Sequence, residues 1–442
     1  MGNLWALSPL EGRYDRYVSA LKPFLSEAAF FRYRLRVELA YFEALVELPL
    51  PPLKGFPRIY LTQLAQVFEP FTQETLDRLK AIEAETRHDV KAIEYFLREK
   101  AAHIFPSEWQ FALAFFHLGL TSQDVNNTAQ PLMLREALHQ VFFPAVEALC
   151  HHLHILAYNW RELPMLAFTH GQPASPTTLG KELYVFVTRL RAELERLQHI
   201  PFWAKLGGAV GNLNAHYLAF PEVDWPAFFD RLAERLGLKR FPLTTQIAPY
   251  ERWAEVWDSL RRLQTILIDF AQDIWLYAHR GYFRILREKG QIGSSTMPHK
   301  SNPILFELAE GNLRLSNAFW AFFTEKLPVS RLQRDLTDST ILRNLGVALG
   351  YGLVGIEALR EGLSSLEAVP EKLEADLQAH PEVVAEAWQI LHRREGKVDA
   401  YEIALRALEE GSFSPPLPPA SYVGYAPQSV PPPSNLEVNP SP

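Results

Sequence analysis

The segment GQIGSSTMPHKSNP, residues 290–303, holds the chain's densest set of chemically useful side chains. Ser294, Ser295, His299, Lys300 and Asn302 stand among two glycines and two prolines, so the stretch cannot be a regular helix. Hydroxyl, ammonium and amide groups on a polar loop can bind and neutralise developing negative charge. A plain solvated connector would not need Met-Pro-His-Lys beside Ser-Ser.

Four further segments carry similar chemistry. LAFTHGQPASP, 166–176, frames His170 between Thr169 and Gln172 at an expected helix entrance. HLGLTSQDVNNTA, 117–129, brings His117, Thr121, Ser122, Asp124 and Asn126 to an expected helix N-terminus. Such a group can cap the helix, or bind carboxylate or phosphate. ETRHDVKAIE, 85–94, contains Arg87, His88, Asp89 and Lys91. SRLQRDLTDSTILRNL, 330–345, contains Arg331, Arg334, Ser339 and Arg343. Three arginines near hydroxyls suit a phosphate or dicarboxylate; a surface helix with ion pairs has the same composition. His151, His152 and His154 lack metal-site spacing, and no CxxC, phosphate-loop lysine or GxGxxG motif occurs, so neither a metal nor a nucleotide-hydrolysis mechanism is expected.

Long helices must position these loops. Val256, Leu260, Leu263, Leu267, Phe270, Ile274 and Tyr277 alternate steps of four and three, the spacing of an a/d seam. Leu183, Phe186, Leu190, Leu194 and Leu197 form a second seam. Leu134, Leu138, Val141, Ala145 and Ala148 form a third, with a kink expected at Pro144. Leu305, Leu308, Asn312, Leu315, Phe319 and Phe322 form a fourth. Strand-like alternation is nearly absent. The fold class is therefore all-α, a bundle of long helices. Trp253, Trp257, Ile266, Ile268 and Trp275 lie outside the seams, and their burial by other subunits predicts a homo-oligomer.

Composition narrows the function classes. The 442 residues are 48% hydrophobic, with a net charge of -7, which argues against a chain held by bulk charge to nucleic acid or an anionic membrane. No run of about 18 uncharged apolar residues occurs, so no membrane span is expected. The start does not read as a secretory signal, and the one cysteine, Cys150, fits a reducing compartment; a cytoplasmic protein is expected. The boundaries read as a helical region over 1–110, the long helices over 111–360, shorter helices over 361–426, and a proline-rich, disordered tail over 427–442. The segment from residue 411 onward holds 10 of the 33 prolines.

GSSTMPHKSNP resembles the GSSxMPxKxNP signature of the fumarase/aspartase superfamily. THGQPASP resembles its segment carrying an acid histidine. TRHDV, HLGLTSQD, SPLEGRY and SRLQRDLTDSTILRN resemble the adenylosuccinate lyase family, in its longer bacterial branch. The likeness runs from about Ser8 to Gly424. It implies three mostly helical domains and a homotetramer around a core of about twenty helices, with each active site shared by three subunits. It implies cleavage of adenylosuccinate to AMP and fumarate, and of SAICAR to AICAR and fumarate, without a cofactor.

The resemblance also implies roles. Ser294 is the base, Lys300 and Asn302 stabilise charge, and His170 is the general acid. His88 orients substrate or assists proton transfer, with Arg87 and Asp89 beside it. Thr121, Ser122 and Gln246 hold the succinyl part, with Ser295 in the same signature loop. Arg13, Tyr14, Arg334, Ser339 and Arg343 hold the phosphoribosyl end, and His117 stands behind them. Other readings are a different fumarate-releasing lyase, such as argininosuccinate lyase or aspartase, or a non-catalytic structural protein on this fold. TRHDV and QRDLTDST count against the first. The intact Ser294, Lys300, Asn302 and His170 count against the second.

Overall fold

The computed structural model describes residues 5–48, 50–287, 296–297 and 299–433. Among the described residues helices dominate, with three two-stranded sheets. They group into two compact units. The first comprises Met1–Pro144, Arg196–Arg261 and Leu315–Leu353. The second comprises Ala145–Glu195, Arg262–Arg314 and Val354–Pro442.

The first unit starts from the Glu27–Glu47 helix, capped where Ser26 Oγ accepts the Ala29 N–H at 3.1 Å. Around it lie an aromatic cluster of Phe42, Phe56, Phe105 and Phe116, and the stacked pair Tyr41–Phe229. The Ser122–Ala137 helix is buried nearly all round, polar residues included. That is the mark of an interior helix rather than an amphipathic surface one. It belongs to one of two helical stretches among the described residues, Ser122–Asn159 and Thr337–Ser364, that are long and apolar enough by composition to cross a bilayer. Within the first, Gln123, Asp124, Asn126 and Asn127 are buried and bonded to protein groups, which fits a core helix.

The seams meet the structure unequally. Val256, Leu260, Leu263, Leu267, Phe270 and Ile274 are all buried on the Glu251–His279 helix. So are Leu183, Phe186, Leu190, Leu194 and Leu197 on the Leu179–Gln198 helix. The third seam changes register. Leu138–Phe142 form a π-helical turn just before Pro144, whose ring nitrogen cannot donate backward. A π turn takes one more residue than an α turn. The buried line therefore moves from Val141 and Ala148 to Phe142, Val146, Leu149 and Leu153. The fourth seam is displaced by one residue. Phe306, Ala309, Leu313, Ser316, Trp320 and Phe323 face inward, while Leu315 and Phe322 remain 50% exposed. Trp253, Trp257 and Ile268, expected to need partner subunits, are buried within the chain; of that group Trp275 stays 41% exposed. Steps of three and four define a stripe, but they do not say which of two adjacent stripes meets the core.

The second unit contains the largest departure from pure helix. Pro164–Thr169 and Gln172–Thr178 pair as an antiparallel hairpin. Leu166 and Phe168 pack it on Leu377, Val383, Val384 and Ala387. Chain-terminal order extends further than proline content predicts. Val430 is buried, and His154 Nε2 donates to the Pro431 carbonyl at 2.9 Å; residues 434–442 lie outside the described residues.

Gly180 opens the Leu179–Gln198 helix where it meets the preceding one. An added Cβ would lie 2.1 Å from the Ala157 carbonyl oxygen. Alanine in a helix usually gains up to about 1 kcal/mol over glycine. Here the backbone contact reverses the sign: Gly180→Ala lowers the urea midpoint, and an unchanged or raised midpoint refutes the contact.

Candidate active site

The Ser122–Ala137 helix organises the first unit's polar groups. Asp124, at its third position, turns back to accept the Thr121 N–H at 2.8 Å, forming a capping box. The same carboxylate accepts from Lys205 Nζ at 2.7 Å and from the Gly207 and Gly208 N–H groups at 2.8 and 3.1 Å. Both charged side chains are 0% exposed. Burial pushes the Lys205 ammonium below its ordinary range, and the Asp124 charge opposes that. Thr121 and Ser122 thus lie at a helix start whose geometry is tied to a distant glycine turn.

One residue earlier, Gln123 Nε2 donates to Ser339 Oγ at 3.2 Å and to Asp338 Oδ2 at 3.3 Å. Arg334 Nη2 donates to the same Ser339 Oγ at 2.7 Å, and its Nη1 reaches Gln246 Oε1 at 3.4 Å. Tyr250 anchors Asp338 from below, its hydroxyl donating at 2.9 Å. The structure therefore brings Arg334, Ser339 and Gln246 together, three residues from two distant segments.

Asn126 extends the network in another direction. Its Oδ1 accepts from Arg34 Nε at 2.8 Å, and Arg34 Nη2 donates to Asp89 Oδ2 at 2.7 Å. Arg343 Nη2 reaches the same oxygen at 3.0 Å while its Nη1 holds both Glu27 oxygens at 2.7 and 2.8 Å. Arg343 is thus held on two carboxylates in this chain. Burial pushes the Asp89 carboxyl up, but Arg34, its hydrogen bonds and Arg343 together hold it below the usual carboxylate range.

His88 caps the Asp89–Ile104 helix: its Nδ1 accepts the Lys91 N–H at 3.1 Å. A neutral imidazole with Nδ1 accepting carries its proton on Nε2, so the exposed edge of His88 is a donor. Arg87 precedes it in the left-handed conformation, φ 53°, exposed and closing the previous helix. Arg13 is exposed, and Tyr14 opens the short Asp15–Val18 helix. His117 Nδ1 lies 2.5 Å from the buried carboxylate of Glu38.

In the second unit, His170 is at the tip of the hairpin, not at a helix entrance. Thr169 pairs with Gln172, leaving the two-residue turn His170–Gly171, with φ 53° and 74°. Those angles match the turn that follows the twist of a two-stranded ribbon. The prolines of THGQPASP hid the strands; an isolated ribbon tolerates them at its edges. The tip is exposed, and its base is fixed by the Arg280 guanidinium 3.5 Å over the Phe168 ring and by Ser175 donating to Glu386 at 2.8 Å. Ser294 and Ser295 lie outside the described residues. Lys300 is exposed, its N–H on the Met297 carbonyl at 3.0 Å, and Asn302 follows just before the Ile304–Lys326 helix. Ser301 Oγ ties this segment to the Ile285 carbonyl at 2.9 Å.

Comparison with known proteins places this arrangement. A lyase family model matches residues 12–315, and a model of the adenylosuccinate lyase C-terminal region matches residues 330–414. The adenylosuccinate lyase of Dictyostelium discoideum is 44% identical over 420 residues, spanning 94% of this chain and 90% of that one. The chain belongs to the adenylosuccinate lyase family. The Escherichia coli member is 42% identical over 93% of this chain and 90% of its own, and the Vibrio cholerae member 40% over 96% and 97%. In fold, the chain is similar to a fumarate lyase from Mesorhizobium sp. BNC1, TM-score 0.74 at 20% identity over 93% of this chain and 96% of that one. It is also similar to the 3-carboxy-cis,cis-muconate lactonizing enzyme of Pseudomonas putida, TM-score 0.71 at 23% identity over 94% and 97%.

Sequence reasoning missed the residues that hold these polar groups in place: Lys205, Gln123, Asp338, Tyr250 and Arg34. Gln123 and Asp338 lie inside segments already singled out. Arg34 and Lys205 sit in stretches without a motif, and only contact reveals them.

The Asp89 network predicts a stability limb at acid pH. A lowered carboxyl contributes stability above its unfolded value near about 3.9, lost as pH falls through the folded value. Asp89→Ala strands the buried Arg34 charge and costs about 3 kcal/mol at neutral pH. Urea melts of parent and variant draw together as pH falls below the ordinary carboxylate range if Asp89 carries this term; a constant gap refutes it.

Proposed function

We propose that the protein catalyses β-elimination of fumarate from adenylosuccinate, leaving AMP, and from SAICAR, leaving AICAR. The observation that carries this reading is identity of 40–44% to proteins named adenylosuccinate lyase over more than 90% of the chain. The intact Ser294, Lys300, Asn302 and His170 support it.

The chemistry assigns the groups. A proton leaves the carbon next to a succinyl carboxylate, and its electron pair builds a dianionic aci-carboxylate. That pair then forms the C=C bond of fumarate as the C–N bond breaks, and the nitrogen receives a proton. Ser294 takes the first proton; a free hydroxyl is far too weak a base, so its alkoxide needs a closed, charge-rich surround. Lys300 and Asn302 supply that charge and a hydrogen-bond donor. His170, on a rigid hairpin tip, gives the second proton. His88 Nε2–H orients substrate as a donor. Thr121 and Ser122 hold a succinyl carboxylate at the helix start, with Gln246 and Ser295 beside it. Arg334, Ser339, Arg343, Arg13 and Tyr14 hold the phosphoribosyl end, flanked by Arg87 and Asp89. No cofactor is required.

We further propose a homotetramer with shared sites and the family's three-domain organisation, with boundaries near residues 110, 360 and 426. Supporting this, Val185, Trp275, Leu276, Ile304, Leu315 and Phe322 expose apolar surface on the long helices. A cytoplasmic location, without nucleic-acid or membrane partners, fits the one cysteine and the net charge of -7.

Loss of purine absorbance on incubation with adenylosuccinate tests the activity, and a folded protein without turnover would leave the structural-protein reading. Ser294→Ala lowers kcat by about 10³-fold with substrate binding still measurable, and His170→Ala behaves alike; turnover within about tenfold of the parent rejects the assigned role. Mixing the two inactive variants restores activity through hybrid sites. No recovery after confirmed subunit exchange rejects shared sites.

A further inference from the structure

The proposed mechanism does not use Lys205, although it is one of few fully buried charged groups. Its Nζ contacts Asp124 Oδ1 at 2.7 Å and the Gly208 carbonyl at 2.5 Å. Asp124 in turn collects the N–H groups of Thr121, Gly207 and Gly208. Taking two charges out of water costs several kcal/mol each, and an apolar pair of the same volume is often no less stable. Stability alone is a poor reason to keep such a pair.

Its position offers a better one. Asp124 lies in the first turn of the helix that begins at Ser122 and is capped by Thr121. A helix start carries a partial positive charge of roughly half an elementary unit, which favours an anion. An unopposed carboxylate within that turn would cancel the field and repel an incoming carboxylate. Lys205 stands behind the helix start and neutralises Asp124. It also fixes the Gly207–Gly208 turn through the Gly208 carbonyl.

We infer that Lys205 is a positioning residue for anion binding: by neutralising Asp124 behind the Thr121–Ser122 helix start, it preserves the local positive field that receives the substrate's succinyl carboxylate. Asp124 then serves as a geometric acceptor for three N–H groups without imposing its charge. The pair acts on binding more than on the proton transfers, so its loss appears in KM before kcat. This rests on the reading of the site proposed above.

The test uses the full-length protein with adenylosuccinate turnover and fumarate binding. Parent turnover is measured first; its absence would reject the proposed activity, whereas the inference is read from variant-to-parent ratios. Lys205→Met raises KM and the fumarate Kd by tenfold or more, with kcat changed less than about threefold. Adding Asp124→Asn to Lys205→Met removes the stranded charge and recovers at least about fivefold of that loss. A role in folding alone would move neither the double-variant ratio nor KM apart from kcat in this direction. The inference is overturned if folded Lys205→Met binds fumarate like the parent, or if the double variant binds no better than the single. Should Lys205→Met not accumulate in folded form, Asp124→Asn replaces it. That change leaves Lys205 unopposed, so fumarate binds at least as tightly as to the parent, and tenfold weaker binding overturns the inference.

Discussion

A buried polar helix is the constraint on which the first unit rests. From Gln123 to Asn127, four of five side chains are polar and buried, with only Val125 between them. Each buried polar group must find a partner or cost about 1–3 kcal/mol. The partners come from across the chain: Ser339 and Asp338 for Gln123, Lys205 for Asp124, Arg34 for Asn126 and Tyr250 for Asn127. Satisfying one helix thus fixes segments more than 200 residues apart in sequence, as the separation of 215 between Gln123 and Asp338 shows. Rigidity around the candidate ligand groups follows from this demand.

The second unit solves a different problem with different means. The acid role proposed for His170 calls for an exposed ring on a stiff support. A two-residue hairpin turn supplies the exposure, and packing of Leu166 and Phe168 on the C-terminal helices supplies the stiffness. The Arg280–Phe168 stack and the Ser175–Glu386 bond add two further anchors near the tip. A helix end could present the same side chain, but it would not offer two flanking strands that can be pinned separately.

Legibility differed by residue. His170, Lys300, Arg334 and Ser339 stood out because polar residues in unusual company break a helical pattern. The a/d seams on 183–197 and 256–274 were readable because side-chain spacing repeats with the helix. Pro144 signalled an irregularity, but a π turn shifts register where a kink only bends, and the pattern alone cannot choose between them. Arg34 and Lys205 were silent because a buried charge next to apolar neighbours looks like any other charge until its partner is known.

The sequence by itself determined the helical class and the family and singled out the candidate segments, since these reside in local composition, periodicity and motif order. Tertiary structure decided which stripe of the Ile304–Lys326 helix meets the core and that His170 tops a hairpin. It also decided that Arg343 holds Asp89 and Glu27, and that Asp124 is neutralised by Lys205. The physical reason is shared. Local propensity is set within a few residues, whereas pairing of buried charges and choice of packed face depend on groups that only the folded chain brings within about 3–4 Å.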